Sequence, residues 1–108
     1  MTEDQLERVL EVFEAHYPGH RYTVELNAEL PTGIGGYADF KHDPIEVMVA
    51  KHPTVDLERH YLIHELAHVV CGLAADHNEQ FHSVMDRLAL LCDVHDMANA
   101  LDQSKDLR

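Results

Sequence analysis

Residues 64–68 read HELAH, in which two histidines stand four residues apart and a glutamate follows the first. On a helix, His64 and His68 project from the same face with their Cβ atoms about 5–6 Å apart, so both imidazoles can bind one Zn²⁺. Glu65 can then take a proton from a metal-bound water. The pattern predicts a zinc site in which Glu65 is the general base.

A catalytic zinc has three protein ligands and keeps its fourth position for water, so a further ligand is needed. The segment DHNEQFH at residues 76–82 follows the motif and can return to the metal. We predict His77 as the third ligand, because Phe81 four residues later would anchor the next helix in the core while His77 faces the metal. His82 is the alternative, and Asp86 ranks behind both.

Two other potential ligands are too far away along a straight helix. Cys71 shares a face with His64 and His68 but lies about 10 Å along the axis from His64. The same geometry excludes His60 if His68 binds the metal. We interpret Cys71 and Cys92 as reduced core thiols, because two cysteines in apolar surroundings do not make a disulfide framework.

Apolar spacing before the motif predicts one helix followed by three strands. Thr2 and Gln5 form a capping-box pattern at the start of the helix, and Pro18 and Gly19 end it. Alternating apolar residues then predict strands near residues 22–26, 34–40 and 45–50. The second and third strands are close enough in sequence to form a hairpin.

Glycines add detail to this outline. Gly35 and Gly36 lie in the second strand and indicate a bulge or a close approach of another segment to the backbone. Gly72 falls within the predicted last turns of the motif helix, where glycine costs about 1 kcal/mol relative to alanine. This helix begins at Thr54 or Asp56, and its broad apolar surface predicts that it is buried.

Length and charge limit the class of protein. The 108 residues are enough for one domain. We predict a last helix from about residue 79 to 101, so that the domain covers residues 1–101. Residues 102–108 would then form a flexible tail. The net charge of −12 disfavours nucleic acid and anionic membrane surfaces as partners. No secretory signal or membrane-spanning segment is evident, so we expect a cytoplasmic protein.

The run HELAHVVCGLAADHNEQF resembles the metal-binding core of the SprT-like and related minimal zincin metallopeptidases. In that family HELxH is followed, after a short turn, by a histidine and an aromatic residue four positions later. The resemblance covers residues 34–90 and implies His64, His68 and His77 as zinc ligands and Glu65 as general base. The chain lacks the family's usual glycine after His77.

This likeness also implies a fold. It is an α+β minimal zincin-like domain with an N-terminal helix, a three-stranded, mainly antiparallel sheet, the HExxH helix and a C-terminal helix. The segment IEVMVA at residues 45–50 resembles the edge strand that covers the active-site cleft of zincins. An extended substrate could pair beside it.

The sequence therefore predicts a small zinc-dependent metallopeptidase that hydrolyses a protein or peptide substrate. Tyr37, Tyr61 and His82 are candidates for stabilising the oxyanion. The alternative is a non-catalytic, zinc-stabilised protein-interaction module, in which four protein ligands would close the site. A further alternative is a regulated peptidase whose tail carboxylates, Asp102 and Asp106, mask the metal.

Overall fold

The computed structural model describes residues 1–72 and 77–106, and the side chains of residues 1–72 and 77–93. The chain in these ranges forms three helices and a three-stranded sheet, in the predicted order of helix, three strands and two helices. The helices are α1 (Glu3–His16), α2 (Val55–Cys71) and α3 (Glu79–Asp106), and the strands are β1 (Tyr22–Ala28), β2 (Gly36–Asp39) and β3 (Ile45–Ala50). The predicted α+β class is confirmed.

Threonine side chains cap the first two helices. The Thr2 hydroxyl accepts from the Gln5 amide at 3.2 Å, and the Gln5 side chain accepts from the Thr2 amide at 2.8 Å, so the predicted capping box is present. At the start of α2 the Thr54 hydroxyl accepts from the Leu57 amide at 3.2 Å. These bonds satisfy backbone donors that have no partner within the helix, and they establish Thr54 as the N-cap of the motif helix.

The sheet is mixed, and the prediction of a mainly antiparallel sheet was wrong. Its order is β1-β3-β2, in which β3 pairs parallel with β1 and antiparallel with β2. From β1 the chain goes to the far edge of the sheet as β2, and a tight turn then returns β3 to the middle. Alternation of apolar residues is the same for both strand directions, so the sequence pattern does not reveal this topology.

The central position of β3 also corrects its predicted role. Residues 45–50 were expected to form the edge strand over the cleft, but they are paired on both sides. Val47 and Val49 are almost fully buried in the core. A substrate strand cannot add beside β3, because its backbone groups already bond to β1 and β2. The predicted hairpin of the second and third strands is confirmed, and β2 is its outer strand.

Helix α2 packs against β2 and β3 on one side and α3 on the other, while α1 packs against α3. The core joins buried apolar residues of all three helices and β3, among them Phe13, Val49, Leu66 and Leu88. This buries the motif helix on most of its circumference, as its composition predicted. Within the described residues, no helix is long and apolar enough to cross a membrane.

The ends of the last two helices differ from the expected positions. Gly72 is not inside α2 but forms its C-cap at φ 80°, with its amide donating to the His68 carbonyl at 2.7 Å. A left-handed glycine is a common way to end a helix, because an added Cβ would be strained there. Helix α3 continues past Leu101 to Asp106. Residues 107–108 lie outside the described part of the chain, and the predicted flexibility of the tail stays a prediction.

Candidate metal centre

The structure brings the three predicted ligands together. His64 and His68 lie one turn apart on α2, and their ring centroids are 5.0 Å apart. The His77 ring is 4.9 Å from each of them. Each imidazole contributes one ring nitrogen to the cluster, and these three nitrogens all lie within 4.8 Å of one another. Three imidazoles converging in this way form a donor set typical of zinc.

One nitrogen pair approaches the spacing that a shared metal requires. The Nε2 atoms of His68 and His77 are 3.1 Å apart. In tetrahedral coordination with zinc–nitrogen bonds of about 2.0–2.1 Å, two ligand nitrogens lie about 3.3–3.4 Å apart. The observed separation therefore fits two ligands of one ion after a small adjustment. Without an ion, the same distance permits a hydrogen bond if one ring carries a proton at Nε2.

The backbone at His77 has the conformation that lets its ring turn back to α2. Its φ is 58°, in the left-handed region that histidine adopts only uncommonly. Asn78 follows and starts α3, since its Oδ1 accepts from the Phe81 amide at 3.0 Å. Asn78 was not predicted as a cap, although an asparagine just before a helix is a recognised capping signal. Together the turn and cap determine where His77 lies.

Phe81 forms an aromatic floor beneath the site. Its ring is almost fully buried, and its centroid lies 5.0, 4.5 and 4.7 Å from those of His64, His68 and His77. The prediction that Phe81 anchors α3 in the core is confirmed. This ring therefore packs against all three imidazoles of the cluster.

Other candidate ligands lie outside this group. Among the described residues, His82, Asp86 and Cys71 are not part of the three-histidine cluster, and His82 and Asp86 are exposed. Burial raises the pKa of the Cys71 thiol, which disfavours the thiolate that would bind metal. Asp76 lies outside the described residues, as do the side chains of the tail carboxylates Asp102 and Asp106, so masking of the metal by the tail stays a prediction.

A second grouping of possible ligand atoms lies at the end of the β2–β3 hairpin. It contains Asp39, His42 and Glu46, of which the last two are exposed. The Asp39 carboxylate already accepts from the Lys41 amide at 2.9 Å and lies 3.4 Å from His42. These contacts explain the cluster as a solvated turn, so we assign no metal to it.

The electrostatic environment keeps His64 neutral. Burial, followed by repulsion from His68, His77 and two further histidines, lowers its pKa from 6.5 to about 4. The ring is therefore unprotonated at neutral pH and has a lone pair available. The other two histidines are His60 and His82, which places them near the site without making them ligands.

Glu65 follows His64 on α2 and is buried. The residue is only 5% exposed, and burial raises its pKa from 4.5 to about 7. A Cβ added at Gly36 would lie 3.1 Å from Cγ and 3.4 Å from Oε2 of Glu65. The start of β2 thus lies directly against this carboxyl, and the close approach predicted from the glycine pair is confirmed.

The neighbouring glycine makes the same kind of contact one turn earlier on α2. A Cβ at Gly35 would overlap the Tyr61 ring near its hydroxyl end. The His52 ring is stacked on the Tyr61 ring, with 4.5 Å between the ring centroids and 8° between the ring planes. The Nε2 of His52 lies 3.0 Å from the Gly35 carbonyl. Tyr61 is thus packed against both neighbours. Tyr37, the other tyrosine predicted as a candidate for stabilising the oxyanion, is exposed.

The outer side of β2 is open. The Ala50 amide donates to the Gly35 carbonyl at 3.0 Å. Because backbone groups alternate in an antiparallel ladder, those of Gly36 and Ala38 point away from β3. In the described part of the chain, no further strand pairs with β2 on that side. An unpaired strand edge next to Glu65 can therefore accept another extended chain.

Comparisons of this chain with protein families, curated proteins and solved structures gave no match. The site must accordingly be interpreted from its own geometry.

Proposed function

We propose that this protein is a zinc-dependent metallopeptidase in which His64, His68 and His77 hold the metal and Glu65 is the general base. The observation that carries the proposal is the position of Glu65. Its buried carboxyl lies against Gly36 at the start of β2, and it belongs to the same helix as two of the three converged imidazoles. A metal that only stabilised the fold would not need a buried carboxyl next to its first ligand and against an edge strand.

Each part of the site has a defined role in peptide hydrolysis. Bound zinc would polarise the scissile carbonyl and make an attacking water more acidic. Glu65 accepts the proton of that water and passes it to the leaving amine. Its raised pKa of about 7 suits a group that must both take and release a proton near neutral pH. The buried Phe81 ring excludes water from the side of the imidazoles that faces the core.

The substrate would bind as an extended segment along β2, in place of the binding beside residues 45–50 that the sequence suggested. The outward N–H and C=O groups of Gly36 and Ala38 can bond to a peptide backbone. Such a segment passes close to Glu65, because Gly36 contacts that side chain. Backbone pairing binds many sequences, so selectivity must come from side-chain pockets.

The test is the Glu65→Gln variant of the zinc-loaded protein, assayed with a mixture of unstructured peptides by mass spectrometry. Loss of the base should reduce hydrolysis by about 10²–10⁴-fold while zinc stays bound. Glu58→Gln is the matched control, because Glu58 is the other buried glutamate of α2 and contacts the Met1 amino group rather than the metal site. Absence of hydrolysis in wild type would support the non-catalytic zinc module instead, whereas hydrolysis that Glu65→Gln leaves unchanged would show that Glu65 is not the base.

A further inference from the structure

We propose that a shallow pocket beside Glu65 is a specificity subsite for an apolar side chain, two residues from the scissile bond of the peptide. This inference rests on the proposed function, since it assigns a substrate feature to the same cleft. The pocket has a volume of about 340 Å³ and opens to solvent. Its walls come from residues 30–35, residues 50–52 and Tyr61.

Its position is determined by two contacts already described. Gly36 lies against Glu65, and Gly35 lies against Tyr61, which is in the wall of the pocket. A peptide paired along β2 advances one residue for each residue of the strand. Ile34, which lines the pocket, is two residues before Gly36. A chain with its scissile bond opposite Gly36 therefore brings the side chain two residues away to this pocket.

The wall formed by Tyr61 is rigid. His52 stacks on one face of the ring, and the Gly35 backbone is packed against its hydroxyl end. The contact of 3.0 Å between His52 Nε2 and the Gly35 carbonyl links those two neighbours to each other. Because its shape exists before binding, the pocket does not require the entropy cost of ordering a loop.

The surface around the pocket favours an apolar occupant. Leu30, Pro31 and Ile34 supply apolar side chains to its lining, and Ile34 is 43% exposed. An apolar group of a bound peptide can cover these side chains.

A binding experiment can test the subsite separately from catalysis. The protein is zinc-loaded Glu65→Gln, and the probes are fluorescein-labelled decapeptides of Ser, Gly and Lys in which one Leu replaces Ser at successive positions. Fluorescence anisotropy should show about tenfold tighter binding for Leu at one position than for the all-Ser peptide. Adding Ile34→Ser should reduce that preference to less than threefold.

The matched control is Leu90→Ser in the same background. Leu90 is 64% exposed on α3 and does not line the pocket, so this substitution should leave the preference intact. Circular dichroism of each variant checks that it is folded. Equal binding of the Leu and Ser peptides, or a preference that Ile34→Ser does not change, would overturn the subsite.

Hydrolysis by the wild-type protein shows how far the bound Leu lies from the cleaved bond. Mass spectrometry of the cleaved Leu peptides should place the Leu two residues from the cut bond. Cleavage with Leu at another fixed distance would overturn the assignment while leaving the metallopeptidase proposal in place. Tight, Leu-dependent binding with no cleavage would support the apolar peptide site but would contradict the catalytic role of Glu65.

Discussion

The imidazole of His77 reaches the histidine cluster through an unusual backbone conformation. Its φ of 58° is held by the cap at Asn78 and by the burial of Phe81. Residues in sparsely populated backbone conformations occur where the surrounding structure over-determines them, often at functional sites. Among the described residues, the structure thus places His77, and not His82, in the three-histidine cluster.

Alanine substitutions at these two histidines should separate their roles. His77→Ala removes a converged imidazole, so we expect zinc affinity to fall by more than the roughly 10- to 100-fold typical of losing an outer-shell partner. His82→Ala should change affinity by less than about threefold, since His82 is exposed and outside the cluster. Isothermal titration with Zn²⁺ measures both, and a larger loss for His82→Ala would contradict the assignment.

Glu65 should give the metal-free protein a distinctive pH dependence. Its pKa is about 7 in the folded state against 4.5 ordinarily, so the folded state holds the proton more tightly than the unfolded chain. Ionisation of the carboxyl therefore lowers the free energy of unfolding progressively as pH rises from about 4.5 to about 7. The total decrease is about 3 kcal/mol, since each pH unit contributes about 1.4 kcal/mol.

Glu65→Gln should remove that pH dependence. The free energy of unfolding, from urea denaturation with a chelator present, should fall in wild type relative to the variant as pH rises through this window. The lowered pKa of His64 acts in the opposite direction, because it adds stability as pH rises from about 4 to 6.5. Since both proteins contain His64, its contribution cancels in the difference. A constant difference across the window would show that Glu65 is not buried as a neutral acid.

At the scale of elements, the distance between β2 and α2 depends on the absence of a side chain at Gly36. Gly36→Ala would place a Cβ 3.1 Å from Cγ of Glu65, so the glutamate or the strand must shift by a few tenths of an ångström. Misplacing a catalytic group by about 1 Å can cost about 100-fold in rate. We expect kcat to fall about tenfold with zinc affinity unchanged; an unchanged kcat would show that Glu65 accommodates the methyl group.

The end of α2 offers a test in which sequence and structure predict opposite signs. If Gly72 lay inside the helix, Gly72→Ala would stabilise the protein by about 1 kcal/mol. Because Gly72 is instead a C-cap at φ 80°, we expect the substitution to destabilise it by about 1 kcal/mol. Urea denaturation measures the sign directly. A stabilised variant would mean that the helix continues through residue 72.

At the scale of the whole molecule, metal binding should stabilise the fold because the three proposed ligands come from two separate regions. His64 and His68 belong to α2, whereas His77 lies just before α3. At a zinc concentration about 100 times Kd, the stabilisation is about 2.7 kcal/mol, or about 10 °C in Tm for a domain of this size. Calorimetry with and without Zn²⁺ should show this shift in wild type and none in His64→Ala. An equal shift in that variant would place the metal elsewhere.

Much of the architecture follows from local patterns. Thr2, Gln5 and Thr54 determine helix starts by bonding to amides three residues away, and the alternation in residues 45–50 determines a strand. His64, Glu65 and His68 lie within one turn and a half of one helix, so their relative positions were also predictable from sequence alone. Each of these features depends on contacts between residues close in the chain.

Tertiary structure decided the features that depend on distant residues. Strand order and direction arise from how the chain crosses the sheet, and a period of two contains no information about either. For that reason the sequence determined the strand at residues 45–50 but not that it is central, nor that β2 is the open edge beside Glu65. The convergence of His77 on the motif helix likewise required the left-handed turn, the Asn78 cap and the burial of Phe81 to act together.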